Sequence, residues 1–389
     1  MFILTRTLFA KSLKTCYNAT DKGFFAGFPA IFAGTYTERK RFPLHTEIVK
    51  TDHEGILAAA RVIRDGGLCA MPTETVYGLA ANGLDPEAVK EIYRVKGRPQ
   101  DNPLILHIAS LQELFPLVEI DPGTEATVRL LAARFWPGPL TMVLPRSSLV
   151  PDVITAGGPT VAIRMPSHPA AHALIAASGV PIAAPSANLS GKPSPTTLRD
   201  VTDDLTGRIP LILDGGDASV GVESTVIDLT RRPFDVLRPG GVSREALQAA
   251  LGEEVGDASV PSDGKPPRSP GMKYRHYAPA APLTGLVGRG DASLRYLASL
   301  PHPENNAAVV FDEYREKAAG LGYRTLTYGA EADHDAHARL LFLTLREADR
   351  TGAERIYIQI SPDRHGRGEA VFNRLSRSAG GDLVYLPDL

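Results

Sequence analysis

The chain has 389 residues, 43% of them hydrophobic and 22% charged, with a formal net charge of −2. At roughly 100–200 residues per domain, that length predicts two or three domains. The composition excludes disorder as the main state and offers no global basic field for a nucleic acid, so any polyanion site must be local. Two cysteines, Cys16 and Cys69, exclude a disulfide framework and a four-thiolate zinc site and fit a reducing compartment such as the cytoplasm. No apolar run approaches the ~18 residues of a membrane span. Residues 1–45 are basic and unpatterned, with Asp21 and Glu38 as their only acids. That is the look of a transit peptide, but no clean amphipathic helix supports it, and an unstructured extension or an over-long start is the favoured reading.

Regular patterning starts near Thr46. Residues 54–65 read as a helix with Ile56, Ala59, Ala60 and Ile63 on one face and Gly66 as its stop, followed by a short buried strand at Leu68–Met71. Asp85-Pro86 is a capping residue with proline at the first helical position, and the helix it opens ends near Lys96-Gly97. Strands are predicted at 104–108, 140–144, 161–164, 181–184, 211–213 and 225–229, and helices at 124–135, 168–178, 196–205 and 243–251. The alternation predicts a mixed α/β domain over 46–250. Residues 251–279 are rich in Pro, Gly and Ser and read as a linker. Their end, Ser269-Pro-Gly-Met-Lys-Tyr-Arg-His-Tyr-Ala-Pro279, is too aromatic and basic for a passive spacer. It is expected to fold over the site as a lid, with His276 or Tyr274 near the nucleotide; the alternative is that these side chains glue the two domains together. A second α/β domain is predicted over 280–389, with strands at 307–311 and 355–360 and a helix at 334–350. Its charges are near balance, so it is not a basic RNA-gripping domain.

Some familiar motifs are missing. There is no G-x-G-x-x-G, and the P-loop pattern fails around Gly191-Lys192, because Ser186 stands where its first glycine belongs and Pro193 where its hydroxyl belongs. No metal-ligand spacing is present; His334 and His337 lie three apart beside acids and read as a solvated helix face.

Four clusters carry candidate chemistry. Pro72-Thr-Glu-Thr-Val-Tyr-Gly78 puts the hydroxyls of Thr73 and Thr75 beside Glu74 at a strand end, which suits a small polar ligand or a strand edge with turn chemistry equally. Lys96-Gly-Arg98-Pro-Gln-Asp-Asn102 sets two cations in a loop, which suits phosphate oxygens or the common role of cations at a helix C-terminus. His107 follows in an apolar strand and by itself reads as a core histidine. Arg164 interrupts another apolar strand and needs an anionic partner, either a protein carboxylate or a ligand. Ser186 and Asn188 follow the strand at 181–184, where open sheets place ligands. Gly221-Val-Glu-Ser-Thr225 and Leu237-Arg-Pro-Gly240 add glycines and Arg238 at strand ends. Together these imply a cleft lined by hydroxyls, amides and four cations (Lys96, Arg98, Arg164, Arg238) without a nucleophilic triad. Such a cleft suits an anionic nucleotide and catalysis by positioning and charge neutralisation.

In order along the chain, P-T-E-T-V-Y-G-L, K-G-R-P-x-D-N-P-L-I-x-H, W-P-G-P-L-T, R-M-P, A-P-S-A-N-x-S-G, G-V-E-S-T-V and L-R-P-G resemble the YrdC-like threonylcarbamoyl-AMP synthases. The S-P-G-M-K-Y-R-H-Y-A-P segment and the trailing domain resemble the long, two-domain form. The resemblance implies a YrdC/RibB-like twisted mixed sheet with a concave basic face, then a smaller three-layer Rossmann-like domain. It implies synthesis of threonylcarbamoyl-AMP and pyrophosphate from L-threonine, bicarbonate or CO2, and ATP. The product would pass to a threonylcarbamoyl transferase acting on tRNA, so tRNA is only an indirect partner. Mg²⁺ is expected with ATP, and no protein-bound metal. The family's catalytic pairs fall on Lys96, Arg98, Ser186 and Asn188, and its threonine contacts on Thr75, His107, Arg164 and Ser224. Its nucleotide contacts fall on Arg98, Asn102, Thr160, Ala184, Ser186, Ser194, Arg238 and His276. Two other functions stay open: a non-catalytic RNA-binding module, and a carbamoyl-transfer enzyme, although the zinc-finger and acylphosphatase-like segments of the latter are absent from this sequence.

Overall fold

A computed structural model describes residues 45–258 and 277–387. In the first half lie strands β1 (Glu47–Lys50), β2 (Cys69–Met71), β3 (Gly78–Asn82), β4 (Ile105–His107), β5 (Leu140–Pro145), β6 (Thr160–Arg164), β7 (Ile182–Ala183), β8 (Leu211–Asp214), β9 (Thr225–Asp228), β10 (Asp235–Arg238) and β11 (Gly256–Asp257). They form one mixed sheet in the order β1-β8-β2-β3-β7-β4-β6-β5-β9-β10-β11. The neighbours β1/β8, β8/β2, β4/β6, β5/β9 and β10/β11 run parallel; the other pairs are antiparallel. The second half holds β12 (Leu283–Val287), β13 (Ala307–Val310), β14 (Arg324–Thr327), β15 (Ile356–Ile360) and β16 (Leu383–Tyr385), a parallel sheet in the order β14-β13-β15-β12-β16. Helices 334–350 and 368–378 pack their apolar residues on one face of this sheet, and helices 292–298 and 315–320 on the other, which makes the three layers. The twisted mixed sheet followed by a smaller three-layer unit is the architecture the motifs imply.

Local chemistry explains the elements that frame the site. Asp52 and Asp85 cap helices 53–64 and 86–96 by accepting hydrogen bonds from backbone amides of their first turns. Gly97 ends helix 86–96 in the left-handed conformation (φ 62°), which turns Lys96 inward and sends Arg98 into the loop beyond. In β4, Leu106 packs into the core while Ile105 and His107 face the other side of the sheet, beside the cleft.

Two expectations are overturned. His337 is not on a solvated face: it is 1% exposed, stacks on Phe311 at 4.8 Å, and places Nε2 2.8 Å from the Ala330 carbonyl. Asp335, two positions before it, is on the exposed side of the helix and Asp333 caps the helix N-terminus, while the ring fills the end of the apolar stripe that includes Ala338 and Leu341. In addition, the stretch read as linker begins with a strand, since β11 pairs with β10 and extends the first sheet to Asp257.

The two sheets share an apolar cluster. Val76, Val220 and Val222, from loops of the first sheet, and Tyr277 join Phe342, Leu345 and Val371 of the second. Around it, arginines of the second half reach acids of the first. Arg346 Nη2 lies 2.8 Å from Asp204 Oδ2, and Arg350 Nη2 lies 2.7 Å from Asp200 Oδ1. At Gly221 (φ 79°) a Cβ would fall 2.4 Å from the Arg339 backbone, so the first glycine of the G-V-E-S-T motif is required by the approach of helix 334–350.

Candidate active site

Loops at the ends of β2, β4, β6, β7 and β10 converge on one cleft. Thr75, Lys96, Arg98, His107, Arg164, Ala184, Ser186, Asn188, Ser224 and Arg238 all line it. Three other expected residues do not. Ser194 is fully buried behind the wall and donates from Oγ to Glu223 Oε1 at 2.7 Å. Asn102 is buried, with side-chain nitrogen and oxygen lacking partners among the described residues, while its carbonyl accepts from Arg98. Thr160 opens β6, four residues from Arg164. His276, together with the Lys273–Arg275 part of the expected lid, lies outside the described residues.

At one end of the cleft the groups suit an amino acid. Arg164 is 4% exposed; Nη2 lies 2.7 Å from Glu74 Oε1, Nη1 donates to Thr75 Oγ1 at 2.9 Å, and Nε donates to the Gly138 carbonyl at 3.3 Å. The W-P-G-P motif thus serves as a backbone rest for this guanidinium. Burial alone would raise the Glu74 pKa, but the charge and hydrogen bonding of Arg164 outweigh it and hold the carboxyl below its ordinary range. Thr73 Oγ1 donates to the Val76 carbonyl at 2.6 Å, so the 2.9 Å contact between Thr73 and Thr75 must use the Thr75 proton. Thr75 then presents only acceptor capacity to a ligand. Burial, then the Arg164 charge, pushes the His107 pKa down to about 3. The ring is therefore neutral, and Nδ1, 3.3 Å from the Ile182 carbonyl, carries the proton. Nε2 remains an acceptor. Ser224 Oγ lies 2.7 Å from Thr141 Oγ1 and accepts from Arg238 Nη2 at 3.1 Å.

The other end suits phosphates. Lys96 Nζ donates to the carbonyls of Ser186 and Asn188, which pins the S-x-N loop to the K-x-R loop. Ser186 Oγ donates to Asn188 Oδ1 at 2.5 Å, and Asn188 Nδ2 donates to the Leu189 and Lys192 carbonyls. Burial, followed by the neighbouring Arg98 charge, drives the Lys96 amine well below the usual lysine range. Arg98 Nη2 donates to the Pro103 carbonyl at 3.1 Å, and Arg238 Nη2 to the Ser224 carbonyl at 3.0 Å; desolvation lowers the pKa of both, that of Arg238 to about 10. All four expected cations meet in one cleft.

Sequence reasoning left three contributors without an assigned role. Glu74 is the anion that the buried Arg164 required. Glu223 lines the cleft and is engaged by Arg374 at 2.8 Å. Tyr277 also lines it, its ring tilted against Phe342 with centroids 5.2 Å apart, while Ala278 N donates to the Gly191 carbonyl at 2.8 Å. The aromatic density of the linker pointed to its neighbours in sequence. Among the described residues, no group of three or more His, Cys, Asp or Glu is placed to hold a metal, and no helix is long and apolar enough to cross a membrane.

A family model described as "Telomere recombination" (Sua5/YciO/YrdC) matches residues 61–240, and one described as "Threonylcarbamoyl-AMP synthase, C-terminal domain" matches residues 242–380. The threonylcarbamoyl-AMP synthase of Pyrococcus abyssi is 46% identical over 336 residues, 85% of this chain and 95% of that relative. The chain belongs to the threonylcarbamoyl-AMP synthase family. The Bacillus subtilis member is 42% identical over 340 residues, 87% of this chain and 97% of its own length. The crystal structure of P. abyssi Sua5 complexed with L-threonine superposes with a TM-score of 0.80 at 44% identity, covering 88% of this chain and 99% of that one. Membership of this two-domain family places both halves of the chain, rather than the first alone, in the comparison.

Proposed function

We propose that the chain makes L-threonylcarbamoyl-AMP and pyrophosphate from L-threonine, bicarbonate or CO2, and ATP. The observation that carries this reading is the two-ended cleft. Hydroxyls, a neutral histidine and Arg164 lie at one end, Lys96, Arg98 and Arg238 lie at the other, and both line one continuous space. It agrees with the activity named for the relatives. Arg164 takes the threonine carboxylate. Thr75 and His107 Nε2 accept from the amine and hydroxyl of the amino acid, and Ser224 completes that end. With CO2 the neutral amine forms a carbamate and gives up a proton; with bicarbonate that proton instead leaves with the bicarbonate hydroxyl as water. A carbamate oxygen then attacks the α-phosphorus, forming the new P–O bond as the bond to the β-phosphate oxygen breaks and pyrophosphate departs.

Lys96, Arg98 and Arg238 hold the phosphates and offset the charge that develops between them, so catalysis rests on positioning and electrostatics. Ser186 and Asn188 keep the loop in register with Lys96. The Ala184 backbone, Asn102, Ser194, Thr160 and His276 complete the nucleotide subsite, Ser194 acting through Glu223. Among the described residues the cleft wall offers no spare carboxylate for a resident cation, since Glu223 is held by Arg374 and Ser194. Mg²⁺ therefore enters as a companion of ATP and not as a protein ligand set. The cytoplasm is the compartment this reading implies, and a threonylcarbamoyl transferase acting on tRNA is the consumer of the product.

The test is pyrophosphate release by the full chain, with and without threonine and bicarbonate. Release should require both. Threonine-independent release, or RNA binding with steep salt dependence and no need of ATP, would refute the proposal.

A further inference from the structure

Arg374 is the largest fully buried side chain among the described residues, with 0% exposure, and it belongs to helix 368–378 on the second sheet. A guanidinium in that position needs partners, and all but one of its hydrogen bonds lie outside its own helix. Nε donates to Glu223 Oε2 at 2.8 Å, Nη2 donates to the Pro239 carbonyl at 3.0 Å, and Nη1 donates to the adjacent Asn373 Oδ1 at 2.8 Å. Its Cζ lies 5.5 Å from the centre of the Tyr277 ring. Glu223 and Tyr277 line the cleft, and Pro239 directly follows Arg238, which does so too.

We infer that Arg374 is a positioning residue through which the second domain sets the nucleotide wall of the cleft; this rests on the function proposed above. The two backbone segments it staples, at 223 and 239, are the same two that the bond from Arg238 to the Ser224 carbonyl joins. Fixing both fixes the guanidinium offered to phosphate. There is also an effect of charge. Glu223 is 7% exposed and its other oxygen accepts from Ser194. Burial would raise its pKa, but the charges of Arg374 and then Arg238 hold it down at about 2. Glu223 is therefore an anion facing two arginines. With Arg374 satisfying it, Arg238 is left for the ligand. Without Arg374, the carboxylate draws Arg238 onto itself and away from the phosphates.

The experiment compares the full-length wild type with R374K by calorimetric titration of ATP and, separately, of threonine. Lysine keeps a positive charge in the buried site but cannot fork to both Glu223 and the Pro239 carbonyl. The expected result is an ATP Kd raised by about 10- to 100-fold, the value of one charge-assisted hydrogen bond, with threonine affinity and melting temperature close to wild type. E223Q/R374M, which leaves no lone buried charge, is the second variant should R374K fail to fold, and the same split is expected because the Pro239 anchor is gone. Unchanged ATP affinity in a folded variant, or equal losses for ATP and threonine, would overturn the inference. Because the readout is binding, an absence of threonylcarbamoyl-AMP formation by the wild type would count against the proposed reaction and leave this comparison intact.

Discussion

Replacing Glu74 by glutamine keeps the shape of the side chain and removes the anion that faces Arg164. Both members of the pair are buried, with side-chain exposures of 7% and 5%, and they meet at 2.7 Å. Removing one partner of such a pair leaves an uncompensated charge, which costs about 3–5 kcal/mol. At roughly 2 °C per kcal/mol for a larger domain, the melting temperature should fall by about 6–10 °C. If the threonine carboxylate meets Arg164, saturating threonine should stabilise E74Q more than it stabilises wild type, because the substrate supplies the missing anion. The assay is thermal unfolding of both proteins with and without threonine. The pH dependence has a definite sign. The folded-state pKa of Glu74 is depressed, so its contribution is complete above the ordinary carboxylate pKa of about 4.3 and is lost as the pH falls through the folded value. The two melting curves should therefore converge in acid. Equal melting temperatures at neutral pH would refute the ion-pair argument, and an equal threonine shift in the two proteins would refute the assignment of the carboxylate to Arg164.

Arg98→Ala should weaken ATP binding by about 1.5–3 kcal/mol, read as a rise in KM with little change in melting temperature. Valine should be turned over about 10³-fold less efficiently than threonine, since it leaves the polar groups of Thr75, His107 and Ser224 without a hydroxyl partner; comparable kcat/KM values would show that the pocket reads only shape. The phosphates of bound ATP should favour the charged form of the Lys96 amine, whose pKa burial depresses, so ATP binding should take up protons over the pH range in which that amine titrates. ATP affinity should accordingly fall as pH rises, and calorimetry in buffers of different ionisation enthalpy gives the proton count. His107 should show no titration between about pH 5 and 9 by NMR, its neutral form being fixed by burial.

The part of the site that was legible in the sequence is the part built from short segments at strand ends. Lys96 and Arg98 leave a capped helix, and Ser186 and Asn188 leave a strand, so local pattern alone places them near a sheet edge. The partners of those residues were not legible, because charge pairing is a long-range event. Arg164 announced that it needed an anion, but nothing in its neighbourhood said that Glu74, 90 residues earlier, would supply it. Arg374 reads as one more cation on an amphipathic helix; only the docking of that helix against the G-V-E-S-T loop buries it. His337 misled for the same reason, since the acids beside it in sequence are exposed while its ring is buried against Phe311 and Tyr328, which come from other elements. The first sheet ran past its expected end because β11 is only two residues long, too short to carry a periodic signal.

The apolar cluster shared by the two sheets also has a consequence for how the molecule comes apart. Val76, Val220 and Val222 belong to the first half by sequence and to the core of the second by packing, and the close approach of Gly221 to the backbone of helix 334–350 leaves no layer of solvent between them. Opening either half exposes the apolar surface of the other and strands Asp200, Asp204 and Glu223 without their arginines. The two sheets should therefore behave as one foldon, with a single denaturation transition and hydrogen-exchange protection that rises and falls together in β9 and in helix 368–378.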